Sequence, residues 1–228
     1  MSMTPVTLLG RWGYREQSVD EVAALVRQTV DGLPAVAGVW VEMQSAPAGS
    51  DLLTRVPVDV TNPAAVVQAI RRRTDERWGG PNPPHWACDL YLAEGERFPL
   101  GMQVAASDSR GKNSIELVLR SPELTSVSGI DKCLRAVAEI WDPDWLSTWD
   151  FDLILKVREH GGKSGDIQVG WKTYLSDRVE ANLRELGNSI QVSPCGGAGR
   201  IVTLSGSPSS PDLDQVLGLR KALGYAAT

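Results

Sequence analysis

The chain has 228 residues, 42% of them hydrophobic and 22% charged, with a net charge of −5 and a pI near 5.1. That length buries a real core without covalent or metal staples, and the composition is that of a folded globular protein rather than a disordered one. The acidic balance argues against a general nucleic-acid binder, which carries a basic face, and it fits a protein that meets a basic partner.

Val6–Leu9 reads as a short first strand, followed by a turn carrying Trp12. Ser18 and Glu21 form a capping box, and Val19, Val22, Ala23, Val26 and Val30 then keep helical spacing, so a helix is predicted over 18–32. Val36–Met43 reads as a strand and Pro47–Ser50 as a loop. Asn62 as cap and Pro63 in the first turn open a second helix over 63–77, whose distal half is basic through Arg71, Arg72, Arg73 and Arg77. Gly79–Pro84 (GGPNPP) is an exposed loop. Three strand-like runs follow, 86–92, 101–106 and 114–119, with turns between them, and predict an antiparallel meander.

Ile130, Leu134, Val137 and Trp141 form a helical stripe over 129–141. It leads into the densest mix of aromatics and carboxylates in the chain, Trp141-Asp142-Pro143-Asp144-Trp145 and on to Trp149-Asp150-Phe151-Asp152. Pro143 cannot sit in a helix interior and biases Asp142 away from the helical region, so a helix ends near Trp141 and a strand starts near Trp145. Two readings of this stretch are compatible. The tryptophans fill the core with the aspartates capping a turn, or the aspartates Asp142, Asp144, Asp150 and Asp152 face a protein partner. Residues 151–157 fit helix or strand. Residues 167–175 alternate and read as a strand containing Trp171, and a helix is predicted over 177–186, stopped by Gly187. Residues 189–192 and 201–204 form a hairpin pair, and Ser210-Pro211 opens a last helix over 211–224. Strands and helices mix without regular βαβ alternation, so the expected class is α+β, one unit over 1–228 with a mainly antiparallel sheet and about five helices.

Catalytic groups are sparse. His85 and Cys88 have zinc-like spacing but lack a second Cys/His pair, and His160 lies in a different loop. Cys195 sits in Pro-Cys-Gly-Gly-Ala-Gly-Arg, which leads into a strand. It therefore lacks the helix N-terminus or base that activates a thiol, and the spacing is not that of a phosphate-binding loop. The four aspartates are local in sequence, whereas a metal-dependent nuclease needs carboxylates converging from separate elements. No metal, cofactor or catalytic residue is expected. Cys88, Cys133 and Cys195 are odd in number and read as reduced thiols. No apolar run approaches the ~20 residues of a membrane-crossing helix, and residues 1–10 lack the basic start and apolar stretch of a signal peptide. The expected location is the cytoplasm.

Several stretches together resemble the bacterial immunity protein 52 family: Gly10-Arg11-Trp12-Gly13-Tyr14-Arg15-Glu16-Gln17-Ser18, Pro57-Val58-Asp59, the meander around Pro99–Met102 with Asn113-Ser114, then Trp141-Asp142-Pro143-Asp144-Trp145 and Val169-Gly170-Trp171-Lys172-Thr173-Tyr174-Leu175-Ser176. Trp12, Trp141, Trp145, Trp171 and Tyr174 are the aromatic residues of that pattern. The resemblance implies a non-enzymatic antitoxin that binds and neutralises a cognate toxin, in this family one of restriction-endonuclease fold, with no direct contact to nucleic acid or membrane. The rival readings are a thiol hydrolase using Cys195 and a scaffold or oligomerisation domain without a toxin partner.

Overall fold

The computed structural model describes residues 4–45, 53–79, 85–108, 113–163, 165–186, 190–197 and 199–225. The loop predicted at Pro47–Ser50, most of the loop at Gly79–Pro84, the turn residues 109–112, and Gly187 and Ser189 lie outside them. The described strands are β1 (Val6–Trp12), β2 (Val39–Ser45), β3 (Leu53–Pro57), β4 (Trp86–Glu94), β5 (Arg97–Ala106), β6 (Asn113–Leu119), β7 (Trp145–Trp149), β8 (Lys172–Leu175), β9 (Gln191–Pro194) and β10 (Arg200–Thr203). They form one sheet in the order β3-β2-β4-β5-β6-β1-β7-β8-β10-β9, and every neighbouring pair is antiparallel. A separate ribbon pairs β11 (Gly206–Ser207) with β12 (Ser210–Pro211). The helices are α1 (Val19–Gly32), α2 (Pro63–Trp78), α3 (Pro122–Thr125), α4 (Val127–Trp141), α5 (Phe151–Glu159) and α6 (Leu213–Ala222). The class is α+β with an antiparallel sheet, as the patterning indicates.

Local chemistry explains where the helices start. Ser18 and Glu21 close their capping box on each other, Asn62 accepts from Ala64 N–H ahead of Pro63, and Ser126, Asp150 and Asp212 cap α4, α5 and α6 through their side-chain oxygens. Each cap satisfies a donor that the helix itself leaves unpaired. The apolar stripes then choose faces. Val22 and Val26 of α1, Ile70 of α2 and Leu134 and Val137 of α4 share one core with Leu8, Leu90, Leu117, Leu146, Tyr174 and Ile201 of the sheet. Leu153 of α5 and Val216 and Leu219 of α6 form a second core with Trp145, Leu175 and Val202. The neighbours Trp145 and Leu146, Tyr174 and Leu175, and Ile201 and Val202 thus go to opposite faces, as the two-residue period of a strand requires. Helices cover both faces at β7, β8 and β10, which explains the near-continuous apolar runs there.

Some expectations need correction. Strand β1 continues to Trp12, through residues read as a turn, because it pairs along its whole length with β6. The predicted helix over 177–186 is reduced to a single 3-10 turn at Leu183–Glu185. Val179, Ala181 and Leu183 all lean on the second core, and a two-residue spacing serves an extended segment, not a helix face. Only the end of the predicted strand 167–175 pairs, as β8. Ahead of it Gly170 N–H donates to Thr173 Oγ1 and Lys172 N–H to Thr148 Oγ1, so side chains replace the ladder. The undecided stretch 151–157 is helical, and β3, α3 and the β11–β12 ribbon are too short to register as periodic patterns. Ser210-Pro211 belongs to that ribbon, and the last helix starts at Leu213.

Trp12, Trp141, Trp145, Trp171 and Tyr174 are all buried, between 2% and 8% exposed. The Trp141 indole N–H donates to Thr29 Oγ1 at 2.7 Å, and that hydroxyl donates in turn to Leu25 C=O. Thr29 is the buried acceptor a core tryptophan needs. Thr29→Val keeps the shape and leaves the indole N–H unpaired, so it should lower unfolding free energy by about 1–3 kcal/mol. Urea denaturation followed by tryptophan fluorescence measures it, and a change within a few tenths would remove this bond from the account.

Candidate functional site at the Trp141–Trp145 corner

Helix α4 ends and strand β7 begins within three residues. Asp142 makes the stop in the left-handed region, φ 44° and ψ 55°, a conformation Asp tolerates better than most residues. Pro143 prevents continuation, and Asp144 then makes bonds on every side. Its N–H donates to Arg11 C=O and its C=O accepts from Ser176 N–H. Its carboxylate accepts from Gly13 N–H through Oδ2 at 2.9 Å and from Arg178 Nε through Oδ1 at 2.8 Å. Arg178 also grips the Asp142 carboxylate at 2.9 Å and the Asp142 carbonyl at 2.8 Å. Arg15 donates to Trp141 C=O at 2.8 Å and to Asp142 C=O. Below this polar layer Trp12 packs on Trp141 with ring centroids 5.5 Å apart.

The corner therefore joins three stretches far apart in sequence: 10–18, 141–145 and 169–178. Asp142 and Asp144 are half exposed at the side chain but are not bare charges, since two arginines hold them. The hydrogen bond that Arg178 donates to Asp142 holds its guanidinium well above the ordinary value; burial opposes this, and the bond to Asp144 adds to the rise. Asp150 and Asp152 are not part of this cluster. They lie at the far end of β7, roughly 20 Å away at ~3.3 Å per residue. There Asp150 caps α5 by accepting from Leu153 N–H at 2.9 Å, and Asp152 is exposed in the first turn. The four aspartates thus form two pairs at opposite ends of one strand. Arg15 and Arg178 carry no sequence signal for this role, because their partners lie 126 to 127 and 34 to 36 residues away.

The thiols are all buried. Burial pushes Cys133 up to about 12 and also raises Cys88 and Cys195, the latter despite Arg135 nearby. His85 stacks edge-on against Trp78, with centroids 3.8 Å apart, and lies 3.6 Å from Asp108. Among the described residues no group of three or more His, Cys, Asp or Glu is placed to hold a metal ion, and no helix is long and apolar enough to cross a membrane. Lys172, though only 7% exposed, reaches Asp131 of α4 at 2.7 Å, and Arg135 holds the same carboxylate at 2.8 Å. Burial works to raise the Asp131 carboxyl, but the bonds from Lys172 and Arg135 outweigh it and hold the group below its ordinary value.

The sequence matches no protein-family model and no curated protein. A solved structure, the Pseudomonas aeruginosa T6SS protein PA0821, aligns over 97% of this chain and 73% of its own length, at 12% identity and a TM-score of 0.49.

Two predictions come from these surroundings. With every thiol buried and its proton retained, a disulfide reagent at neutral pH should label the native chain at well under one thiol in the time that labels all three cysteines in denaturant. Rapid native labelling of Cys195 would revive a thiol-based activity. Asp131 has a lowered folded value, so its contribution is present above the unfolded carboxyl value and lost as pH falls through the folded one. The stability gap between the native chain and Asp131→Asn should therefore be full at pH 6 and shrink steadily below about pH 4. Chemical denaturation at a series of pH values reads this, and a gap independent of pH would contradict it.

Proposed function

We propose that the chain is a non-enzymatic immunity protein of a bacterial polymorphic toxin system, which binds a cognate toxin in the cytoplasm and neutralises it. The toxin class suggested by the resemblance is a DNA-cleaving effector of restriction-endonuclease fold. The observation that carries the reading is the meeting of Gly10–Ser18, Trp141–Trp145 and Val169–Ser176 at one corner. The strongest motif stretches of the resemblance are parts of a single tertiary feature, as a shared fold requires. The net charge of −5 supports it further, because a nuclease presents a basic groove to DNA and an acidic inhibitor is steered toward such a surface. The buried, proton-retaining thiols speak against a hydrolase built on Cys195.

Asp142, Asp144, Asp150 and Asp152 enter this proposal with different duties. Asp144 and Asp150 hold backbone N–H groups, Asp142 is paired with Arg178 and Arg15 although its side chain is 56% exposed, and Asp152 presents charge to solvent. An immunity gene is expected to sit directly beside the gene of a large toxin, and the test is co-expression with that neighbouring product. The chain should restore growth and co-purify with the toxin as a stoichiometric complex. Persistent arrest with no complex overturns the proposal. Within that complex, Asp152→Asn should slow association at low salt, with the difference fading as salt rises and thermal stability unchanged. An unaltered rate at low salt takes Asp152 off the binding face.

A further inference from the structure

Beside the corner, on its α4 side, lies a cleft of about 330 Å³ lined by Glu139, Asp142, Tyr174, Asp177, Arg178 and the glycines of the β9–β10 loop. Glu139 and Asp177 are exposed, and neither side chain makes a hydrogen bond or close ion pair with another described residue. The base nearest to Glu139 along α4 is Arg135, one turn back, and it is already held by Asp131, the Pro194 carbonyl and Ser193. Arg178 is occupied by Asp142 and Asp144. The cleft therefore has three carboxylates and one arginine, and that arginine is fully engaged.

A second observation is independent of the carboxylates. Tyr174 is 97% buried, being 3% exposed, yet its hydroxyl has no hydrogen-bond partner among the described residues. The phenol lines this same cleft. The hydroxyl is not among the fully buried unpaired side-chain atoms, so its oxygen opens onto the cleft, where a bound donor can reach it. The glycines keep the approach open. A Cβ at Gly199 would lie 2.6 Å from the Tyr174 oxygen, and a Cβ at Gly196 would lie 3.4 Å from Glu139 Cγ.

We propose that this cleft receives one arginine side chain of the bound protein, with its guanidinium between Glu139, Asp142 and Asp177 and one N–H donated to the Tyr174 oxygen. Arginine fits better than lysine because its planar fork reaches carboxylates and the phenol oxygen together. The sign of the lining excludes a free anion, and among the described residues no group of three or more His, Cys, Asp or Glu is placed to hold a metal ion. That the arginine belongs to a toxin rests on the function proposed above; the chemistry of the cleft does not.

The experiment has two arms. In the first, acetyl-arginine-amide is titrated into the isotope-labelled full chain while the amides of Gly196, Gly197 and Gly199 are followed by NMR. Saturable shifts at those amides are expected. They should be lost in the Glu139→Gln/Asp177→Asn double variant, weakened in Tyr174→Phe, and absent when the neutral isostere acetyl-citrulline-amide is used. Shifts that do not saturate, lie elsewhere or survive in the double variant overturn the cleft. Tighter binding of acetyl-lysine-amide overturns the choice of arginine. In the second arm, the double variant, with its thermal unfolding first confirmed as native-like, is measured against the adjacent gene's toxin. It should bind at least about tenfold more weakly, as loss of a central charged contact does. Unchanged affinity with protection intact overturns the docking role and leaves the immunity reading standing. Failure of the native chain to protect while the arginine titration succeeds overturns the immunity reading and leaves the cleft standing.

Discussion

Asp144 is the residue on which the middle of the molecule depends. Strand β7 lies between β1 and β8, and its first turn of chain must leave helix α4, reverse direction and enter the ladder with the right face inward. A slip of one residue would send Trp145 to the first core and Leu146 to the second. Asp144 blocks that slip from both sides. Its N–H is tied to Arg11 of β1, its C=O to Ser176 just beyond β8, and its carboxylate to Gly13 and Arg178. Four bonds to two separate segments fix one backbone position, and Pro143 removes the helical alternative.

The same corner marks where the sheet changes character. From β3 to β1 the described helices α1, α2 and α4 pack on one face, and alternation with half-exposed residues is clear, as in Ile115, Leu117 and Leu119 of β6. From β7 onward α5 and α6 add a second core. Several of the polar side chains drawn into this doubly covered region find partners locally, although Ser147 Oγ and Ser176 Oγ have none among the described residues. Thr148 and Thr173 serve the backbone around Gly170, and Lys172 finds Asp131 across the sheet–helix interface. Removing one member of such a pair leaves the other buried and uncompensated, which costs more than the pair contributes.

These arrangements bear on function by sorting the charged residues. Around the corner most carboxylates and arginines neutralise one another and set geometry. Among the described residues the Glu139 and Asp177 side chains and the Tyr174 hydroxyl make no hydrogen bond, and they lie together on one side of it.

The sequence by itself determined the class of fold, most helix starts and the fate of the tryptophans. Those features are local: capping boxes, a proline after Trp141, and alternation in β4 to β6 act within a few residues. It also showed that the glycine run after Cys195 leads into a strand, β10, and not into a helix N-terminus. What it could not determine is which charges pair. Asp142, Asp144, Asp150 and Asp152 look like one cluster on paper, yet a five-residue strand carries the pairs to opposite ends of β7. Arg178, in a segment patterned like a helix, is drawn instead into a turn by carboxylates 34 and 36 residues earlier. Pairing across such distances is decided by strand order and register, and strand order is a property of the whole sheet. Tertiary structure alone therefore turned a conspicuous acidic motif into a joint and left the unpaired carboxylates in the cleft beside it.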